Sequence, residues 1–299
     1  MARGPYAAIA TAVVAVSFSS IFISWSSSDY VTIALYRLAF ATAILLPFVV
    51  RDRARLRATS RRDALLMAGV GAILATHFTL WIASLKAGDV AVPVASSVIL
   101  VTSHPILVGL LSHFVLKERL NRTMTVGILL GFGGVVIIAL ADYGASAPKL
   151  VGDVLAFLGG VAAGLYLLAG RSLRQRVPLT SYAFVVYGSA TAVLFVYTVV
   201  LGASLAPTGD VPRELVLFLA MALVPHLGGH TLYNWALRWV SAPVVSLSLV
   251  GEPIGSSLLA WALLSQVPSG LVGLGGALAI VGIAMTAYAS PIKAAETST

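Results

Sequence analysis

Long apolar stretches separated by short polar loops make up most of this chain. An α-helix needs about 20 apolar residues to cross the hydrocarbon core of a bilayer. Ten stretches reach that length within normal boundary error, and we predict that each is a transmembrane helix. They run from Pro5 to Trp25, Val31 to Val50, Ala64 to Leu85, Val90 to Leu116, Thr123 to Ala141, Val151 to Gly170, Ser181 to Ala203, Leu215 to Leu237, Ala242 to Leu264 and Ser269 to Tyr288. Because the loops are short, consecutive helices are expected to pack antiparallel.

The composition indicates an all-α integral membrane protein, since 59% of the 299 residues are apolar and only 10% are charged. The net charge of +8 does not indicate nucleic-acid binding, because the basic residues lie mostly in loops between apolar stretches. The absence of cysteine excludes disulfides, thiolate nucleophiles and thiolate metal sites. Only Arg3 precedes the first apolar stretch, which has no small-residue cleavage site, so we predict an uncleaved first helix.

The distribution of lysine and arginine predicts the orientation. Cytoplasmic loops are enriched in these residues. Most of the 19 basic residues fall on the side of the N-terminus, in clusters within 51–62, 117–122 and 171–176, whereas the other side has only Lys86, Lys149 and Arg213. Both termini are therefore predicted to be cytoplasmic, in an inner membrane.

The two halves of the chain resemble each other. Placing Pro105 on Pro253 also places a glutamate on a glutamine and two glycines on glycines without a gap: Glu118 on Gln266, Gly127 on Gly275 and Gly134 on Gly282. Each half has five predicted helices, an odd number, so the copies enter the membrane from opposite sides. We predict two inverted five-helix repeats, 1–145 and 146–290, followed by a polar cytoplasmic tail, 291–299. Such repeats usually hold a substrate site near the midplane.

Four strings carry a resemblance to a known family: WIASLK, ASSVILVTSHP, KERL and NWALRWVSAPVVSLSLVGEP. In order, spacing and duplication they resemble the EamA-type branch of the drug/metabolite transporter superfamily. The resemblance implies a cavity formed by spans one to four and six to nine, with five and ten as scaffold. It also implies export of small metabolites, which are amino acids in several characterised members. This chain departs from the family in having Gln266 where an acid is common.

The third and eighth spans contain parallel candidate binding residues. His77 and Trp81 share one helical face, as do His230 and Asn234, because residues four apart lie on the same side of a helix. An imidazole beside an aromatic ring suits a small zwitterion or an aromatic side chain. The structural alternative is that each histidine caps a helix carbonyl and the tryptophan packs at an interface.

Glu252 lies before Pro253 inside an apolar run, where an acidic side chain is costly and usually marks a functional path. The proline should free carbonyl groups near Leu249. His104 occupies the equivalent position in the first half. Because a poorly hydrated carboxylate exchanges protons nearer neutral pH, we predict a coupling site at Glu252 and His104. The alternative is a kinked helix with a neutral, hydrogen-bonded glutamate.

Four more residues within spans are candidates for substrate contact. Arg37 is suited to a substrate carboxylate, or it binds helix ends in a structural role. Tyr166, Tyr187 and Tyr233 line the cavity or pack in the core. Glu118 is interpreted as part of a charged cytoplasmic loop with a gating role.

These features predict a secondary transporter, and not an enzyme, that exports amino acids or similar metabolites by alternating access as a monomer. No cofactor is expected, and no GxxxxGK[ST] motif for nucleotide binding is present. His226 and His230 have the i, i+4 spacing of a metal pair but lack the accompanying glutamate, so no metal site is predicted. The alternatives are a metal- or lipid-handling intramembrane enzyme and a lipid-carrier flippase.

Overall fold

The computed structural model describes residues 4–104, 106, 121–174, 176–236, 248–249 and 251–289, and these residues contain helices and turns without a β-strand. The helices are α1 (Gly4–Ser17), α2 (Ser19–Trp25), α3 (Tyr30–Arg51), α4 (Arg53–Arg57), α5 (Arg61–Lys86), α6 (Val94–Val101), α7 (Arg122–Ala145), α8 (Lys149–Arg174), α9 (Leu179–Val200), α10 (Val211–Met221), α11 (Thr231–Ala236), α12 (Gly251–Leu264) and α13 (Gly270–Ala289). A 3₁₀ turn occupies Gly88–Val90, and a π-helical segment, Ala222–His230, joins α10 to α11.

Seven stretches of the described residues are long and apolar enough to cross a membrane. They are Tyr6–Trp25, Tyr30–Arg51, Arg61–Lys86, Arg122–Ala145, Lys149–Gly170, Leu179–Val200 and Val211–Tyr233. They coincide with predicted spans one to three and five to eight, which confirms an all-helical protein with several membrane-spanning helices. A shorter apolar helix, Gly270–Thr286, lies within the tenth predicted span. The fourth and ninth predicted spans extend into 107–120 and 237–247, outside the described residues, so the ten-helix count stays a prediction.

Polar residues fix where several helices begin. Asp29, Ser60, Asn121 and Asp210 each accept a hydrogen bond from a backbone N–H two or three residues ahead, at 2.9 to 3.3 Å. These caps satisfy N–H groups that have no partner within the first turn of a helix. The helices therefore begin where polar loop residues meet the apolar stretches.

Two of the seven spans that the structure describes in full are not regular α-helices. The first span is interrupted at Phe18, between α1 and α2. The eighth contains the π-helical segment, in which Pro225 has no backbone N–H to donate and the Thr231 N–H bonds the carbonyl oxygen of His226, five residues back. π-Helical turns are frequent at functional sites. The eighth span carries the candidate residues His230, Tyr233 and Asn234, whereas the first span carries none.

Glycine residues allow α7 and α13 to pack closely. A methyl group at Gly275 would lie 2.8 Å from the carbonyl oxygen of Gly134, and one at Gly127 would lie 2.9 Å from that of Gly282. Neither distance is sterically acceptable, so only glycine permits this approach. The two helices form a tight pair beside the rest of the bundle.

The main hydrophobic core lies among α2, α3, α5, α6, α8, α9 and α10, with Ala260 of α12. Its largest fully buried aromatic side chains are Phe78, Tyr182, Tyr187 and Phe218. Phe78 lies on the third predicted span and Tyr187 on the seventh, so the core joins the two halves of the chain. The candidate polar residues are arranged around it.

Candidate functional site

A buried polar cluster surrounds the ring of Phe78. The guanidinium carbon of Arg37 lies 4.4 Å from the centroid of that ring. The rings of His226 and His230 have centroids 5.6 and 6.1 Å from it, and the ring of His77 is 4.8 Å away. Arg37 and His77 come from the first half of the chain and the other two histidines from the second. The fold thus brings both halves together at one aromatic side chain.

His77 has both a structural contact and an aromatic neighbour. Its Nδ1 lies 2.9 Å from the carbonyl oxygen of Gly159, and because a carbonyl only accepts, Nδ1 carries the proton and donates it. In the neutral ring, Nε2 is then an acceptor. The ring also stacks on Trp81, with centroids 6.0 Å apart and planes 16° apart. One nitrogen therefore ties α5 to α8, while the other remains available for a ligand.

Tyr187 connects the seventh span to the π-helical segment. Its hydroxyl lies 3.3 Å from that of Thr231, and its ring packs edge-on against His226 at 4.3 Å between centroids. Tyr187 and His226 each expose only 1% of their surface. Tyr187, a predicted cavity residue, and His226 are thus occluded in this conformation.

His226 also lies in this cluster, although its sequence spacing suggested only half of a metal pair. Neither ring nitrogen has a hydrogen-bond partner among the described residues, although the side chain is almost fully buried. A buried polar group without a partner costs about 1–3 kcal/mol. The sequence signal that could have identified it is Pro225, which places the histidine on an irregular turn of the helix.

Arg37 is fully buried and has one side-chain hydrogen-bond partner among the described residues. Its Nη1 donates to the hydroxyl of Ser19, at 2.8 Å, just after the break in the first span. Glu252, on the first turn of α12, is close enough to Arg37 to interact with it electrostatically. The two side chains do not form a direct ion pair within the part of the chain that the structure describes.

The two predicted coupling residues have different surroundings. His104 Nδ1 lies 3.4 Å from the carbonyl oxygen of Val101 in the preceding turn. Glu252 is buried, and its backbone N–H bonds the carbonyl oxygen of Leu249 at 3.2 Å. The carbonyl that Pro253 was expected to leave free is therefore satisfied by a tighter turn. Within the described residues, Glu252 and His104 make no contact with each other.

The remaining predicted residues are more dispersed. Tyr166 is buried in the main core, and Tyr233 packs with Ile9 and Val16 of α1, close to Glu252. The side chain of Asn234 and the whole of Glu118 lie outside the described residues. Within the described residues, no group of three histidine, cysteine, aspartate or glutamate side chains could hold a metal ion.

One end of the bundle is closed by a buried glutamate that is not among the candidates selected from the sequence. Glu214, at the start of α10, accepts hydrogen bonds from the hydroxyls of Ser26 and Ser28 and from the backbone N–H of Ser27, the last at 2.7 Å. Lys86 donates to the carbonyl oxygen of Ser26 at 2.5 Å. We call this group the Glu214 latch; it joins the loop between spans one and two to the second half.

Neighbouring loops strengthen the closure at this end. Thr32 and Tyr36 donate to backbone carbonyls of Ser204 and Leu205, at 2.6 and 3.0 Å. Gln266, the position at which the chain departs from the family pattern, accepts a hydrogen bond from the N–H of Val94 at 3.0 Å. A neutral amide oxygen is sufficient to cap α6, so the glutamine has a structural role.

The opposite end has a weaker link between the halves. Arg176 forms an ion pair with Asp63 at 2.7 Å, and the arginine side chain is half exposed. Exposed ion pairs contribute little to stability. The two ends of the bundle therefore differ in how firmly the described residues hold the halves together.

The chain resembles known proteins in sequence and in fold. The sequence profile of the EamA-like transporter family matches residues 4–140 and again residues 150–288. A probable terminal-alkyne amino-acid exporter of Streptantibioticus cattleyicolor is 25% identical over 286 residues, which cover 95% of this chain and 93% of that protein. The uncharacterized transporter YdfC of Bacillus subtilis is 24% identical over 255 residues, covering 85% and 80%. A solved crystal structure of a protein with 22% identity aligns with a TM-score of 0.65 over 96% of this chain and 98% of that chain.

Proposed function

The chain belongs to the EamA-like transporter family, and from this premise we propose that it is a secondary transporter that exports amino acids or similar small metabolites. The proposal of amino acids is supported by one relative that is named as a probable amino-acid exporter. The transport mechanism that we propose is alternating access around a cavity between the two halves. The polar residues that face each other there are its substrate-binding residues.

The observation that carries this proposal is the cluster around Phe78. Arg37 and His77 approach the ring from one half, and His226 and His230 from the other. A substrate bound between halves that rock against each other is exposed first to one side of the membrane and then to the other. We assign Trp81, His230, Tyr187, Tyr166, Tyr233 and Asn234 to the same cavity.

We further propose ten spans in two inverted repeats, 1–145 and 146–290, with both termini in the cytoplasm and the protein in the inner membrane. Contacts between α7 and α13 support the repeat. Gly127 approaches Gly282, and Gly134 approaches Gly275. When the two halves are aligned so that Gly127 matches Gly275 and Gly134 matches Gly282, the contact of Gly127 with Gly282 corresponds to the contact of Gly275 with Gly134. Such a correspondence is expected of a pseudo-twofold axis between the helices.

In this orientation the Glu214 latch faces the outside of the cell. The site is occluded, and the outer end is closed by buried, charge-assisted hydrogen bonds, whereas the inner end has an exposed ion pair. We propose that export requires opening of the latch. We propose Glu118 as an inner gate. We also propose that protonation of Glu252 couples to substrate release and that His104, at the equivalent position of the first half, belongs to the same coupling site.

The test is uptake of a labelled panel of amino acids and small metabolites into proteoliposomes, with and without a pH gradient. Saturable uptake that is lost in His77→Ala is expected, whereas Leu129→Ala, which changes a side chain on the outer surface of the bundle, should transport normally. A pH-gradient response that disappears in Glu252→Gln would support coupling there. If no solute is taken up, transport of small metabolites is refuted, and metal content would test the enzyme alternative.

A further inference from the structure

We propose that Arg37 and Glu252 are the two charged subsites for a zwitterionic substrate, binding its carboxylate and its ammonium group respectively. This inference rests on the proposed function and assigns one residue from each half of the chain to a charged group of the substrate. It requires one negative and one positive group on the same small molecule, as in an α-amino acid. Molecules that carry only one of the two charges are excluded.

The free edge of Arg37 is the first observation. Its Nη1 is bound to Ser19, but Nε and Nη2 have no hydrogen-bond partner among the described residues. The N–H bonds of these two nitrogens point in the same direction, on the edge of the guanidinium that receives a carboxylate through two parallel hydrogen bonds. The residue is fully buried, so the unmade bonds are costly. The side chain is preorganised by Ser19 and Phe78 for an anion.

The position of Glu252 is the second observation. Ser256, four residues later on the same face of α12, donates to the carbonyl oxygen of Ser17 at 3.1 Å. Ser17 is two residues before Ser19, which holds Arg37. Ser256 and Arg37 thus bind residues on the two sides of the break in the first span, and Glu252 lies one helical turn before Ser256. They interact electrostatically but are not in direct contact within the described residues.

A zwitterion compensates both buried charges at once. A simple anion on Arg37 would leave Glu252 beside a second negative charge, and a simple amine on Glu252 would lie beside the guanidinium. Both arrangements leave a buried charge unpaired, which disfavours the wrong ligand strongly. Because the two charges belong to different halves, the bound zwitterion also links the halves while it is transported.

The experiment is competition in proteoliposomes without a pH gradient. Each of the twenty labelled L-amino acids is tested for uptake, and each transported one is challenged with its unlabelled form, its deaminated acid and its decarboxylated amine. For L-phenylalanine these are 3-phenylpropionate and phenethylamine. We expect both analogues to inhibit at least about thirtyfold more weakly than the amino acid, since each leaves one buried charge unpaired.

Two variants separate binding from structure. In Glu252→Gln the ammonium group loses its counter-charge, so the deaminated acid should approach the amino acid in potency, whereas the amine should remain excluded. Leu129→Ala should keep the native selectivity. The selectivity change in Glu252→Gln separates binding from structure, because a purely structural glutamate would alter total uptake without altering relative inhibition.

The outcomes discriminate between the two proposals. If the acid inhibits the native protein as well as the amino acid does, the ammonium subsite is refuted. If the amine does so, the carboxylate subsite is refuted. If another solute is transported but none of the twenty amino acids is, this inference fails and transport stands. If no solute is transported at all, the proposed function itself has failed.

Discussion

Replacement of Glu214 by glutamine tests whether the Glu214 latch closes one end of the bundle. Glu214 exposes only 1% of its surface, and its carboxylate accepts three hydrogen bonds from residues 26–28, which are nearly two hundred positions away in the sequence. Lys86 adds a positive charge beside it through the carbonyl oxygen of Ser26. Glutamine keeps the shape of the side chain but has one acceptor oxygen and no charge. The substitution therefore weakens the latch without creating a cavity.

The magnitude follows from the difference between charged and neutral hydrogen bonds. A hydrogen bond to a charged group contributes about 1.5–3 kcal/mol, against roughly 1 kcal/mol for a neutral pair. The Ser26 and Ser28 hydroxyls can reorient toward the new amide, which reduces the loss. We expect Glu214→Gln to destabilise the closed conformation by about 2 kcal/mol, equivalent to a roughly thirtyfold shift in the equilibrium toward opening.

Thiol accessibility measures this shift directly, because the chain contains no cysteine. Ser20 is fully buried, and its hydroxyl has no partner among the described residues, so Ser20→Cys is a conservative reporter between the latch and the site. In detergent, the labelling rate of this cysteine should rise about thirtyfold in Glu214→Gln. Asp89→Asn, an exposed acid in the loop after α5, is the matched control and should leave labelling unchanged.

Two results would refute this reasoning. An unchanged labelling rate together with an unchanged unfolding temperature would mean that Glu214 does not hold the bundle closed. An equal increase in Asp89→Asn would mean that net charge at this end, and not the latch, controls opening.

Three further predictions concern packing and the site. Gly282→Ala should lower the unfolding temperature in detergent, because overpacking costs about 1–3 kcal/mol. Gly133→Ala should have little effect, because the space around Gly133 is open. Equal effects of the two substitutions would contradict the close approach of α7 and α13. His77→Asn should retain the hydrogen bond to Gly159 and hence the stability that His77→Ala loses, and transport that is lost in both would assign the ring itself to substrate. Arg176→Ala should leave the unfolding temperature unchanged, because the ion pair of Arg176 with Asp63 is exposed. A marked decrease in the unfolding temperature would show that the inner end is more firmly closed than the described contacts indicate.

Most of the secondary structure could be predicted because hydrophobic length is a local property. The second span was predicted from Val31 to Val50 and runs from Tyr30 to Arg51. The start of the eighth was placed at Leu215, four residues too late, because Asp210 and Pro212 form an N-cap and first turn within a polar segment. Local capping chemistry thus extended a helix beyond its apolar stretch.

The candidate site was only partly predictable. Periodicity and duplication selected His77, Trp81 and His230 as candidates, because residues four apart share a face whatever the tertiary structure. They could not identify His226 as an unsatisfied side chain, since that depends on which neighbours fail to reach it. Nor could they predict that Arg37 binds Ser19 through Nη1 while its Nε and Nη2 have no partner among the described residues.

By itself, the sequence determined that this is a helical membrane protein with a duplicated pattern, because the cost of placing polar groups in a bilayer acts on every residue independently of its neighbours. Only the tertiary structure decided that Glu214 binds the serines of residues 26–28 and that Arg37 and Glu252 lie close without pairing. These contacts join residues that are far apart in the chain. Their geometry depends on how whole helices pack, and no local pattern of residues specifies it.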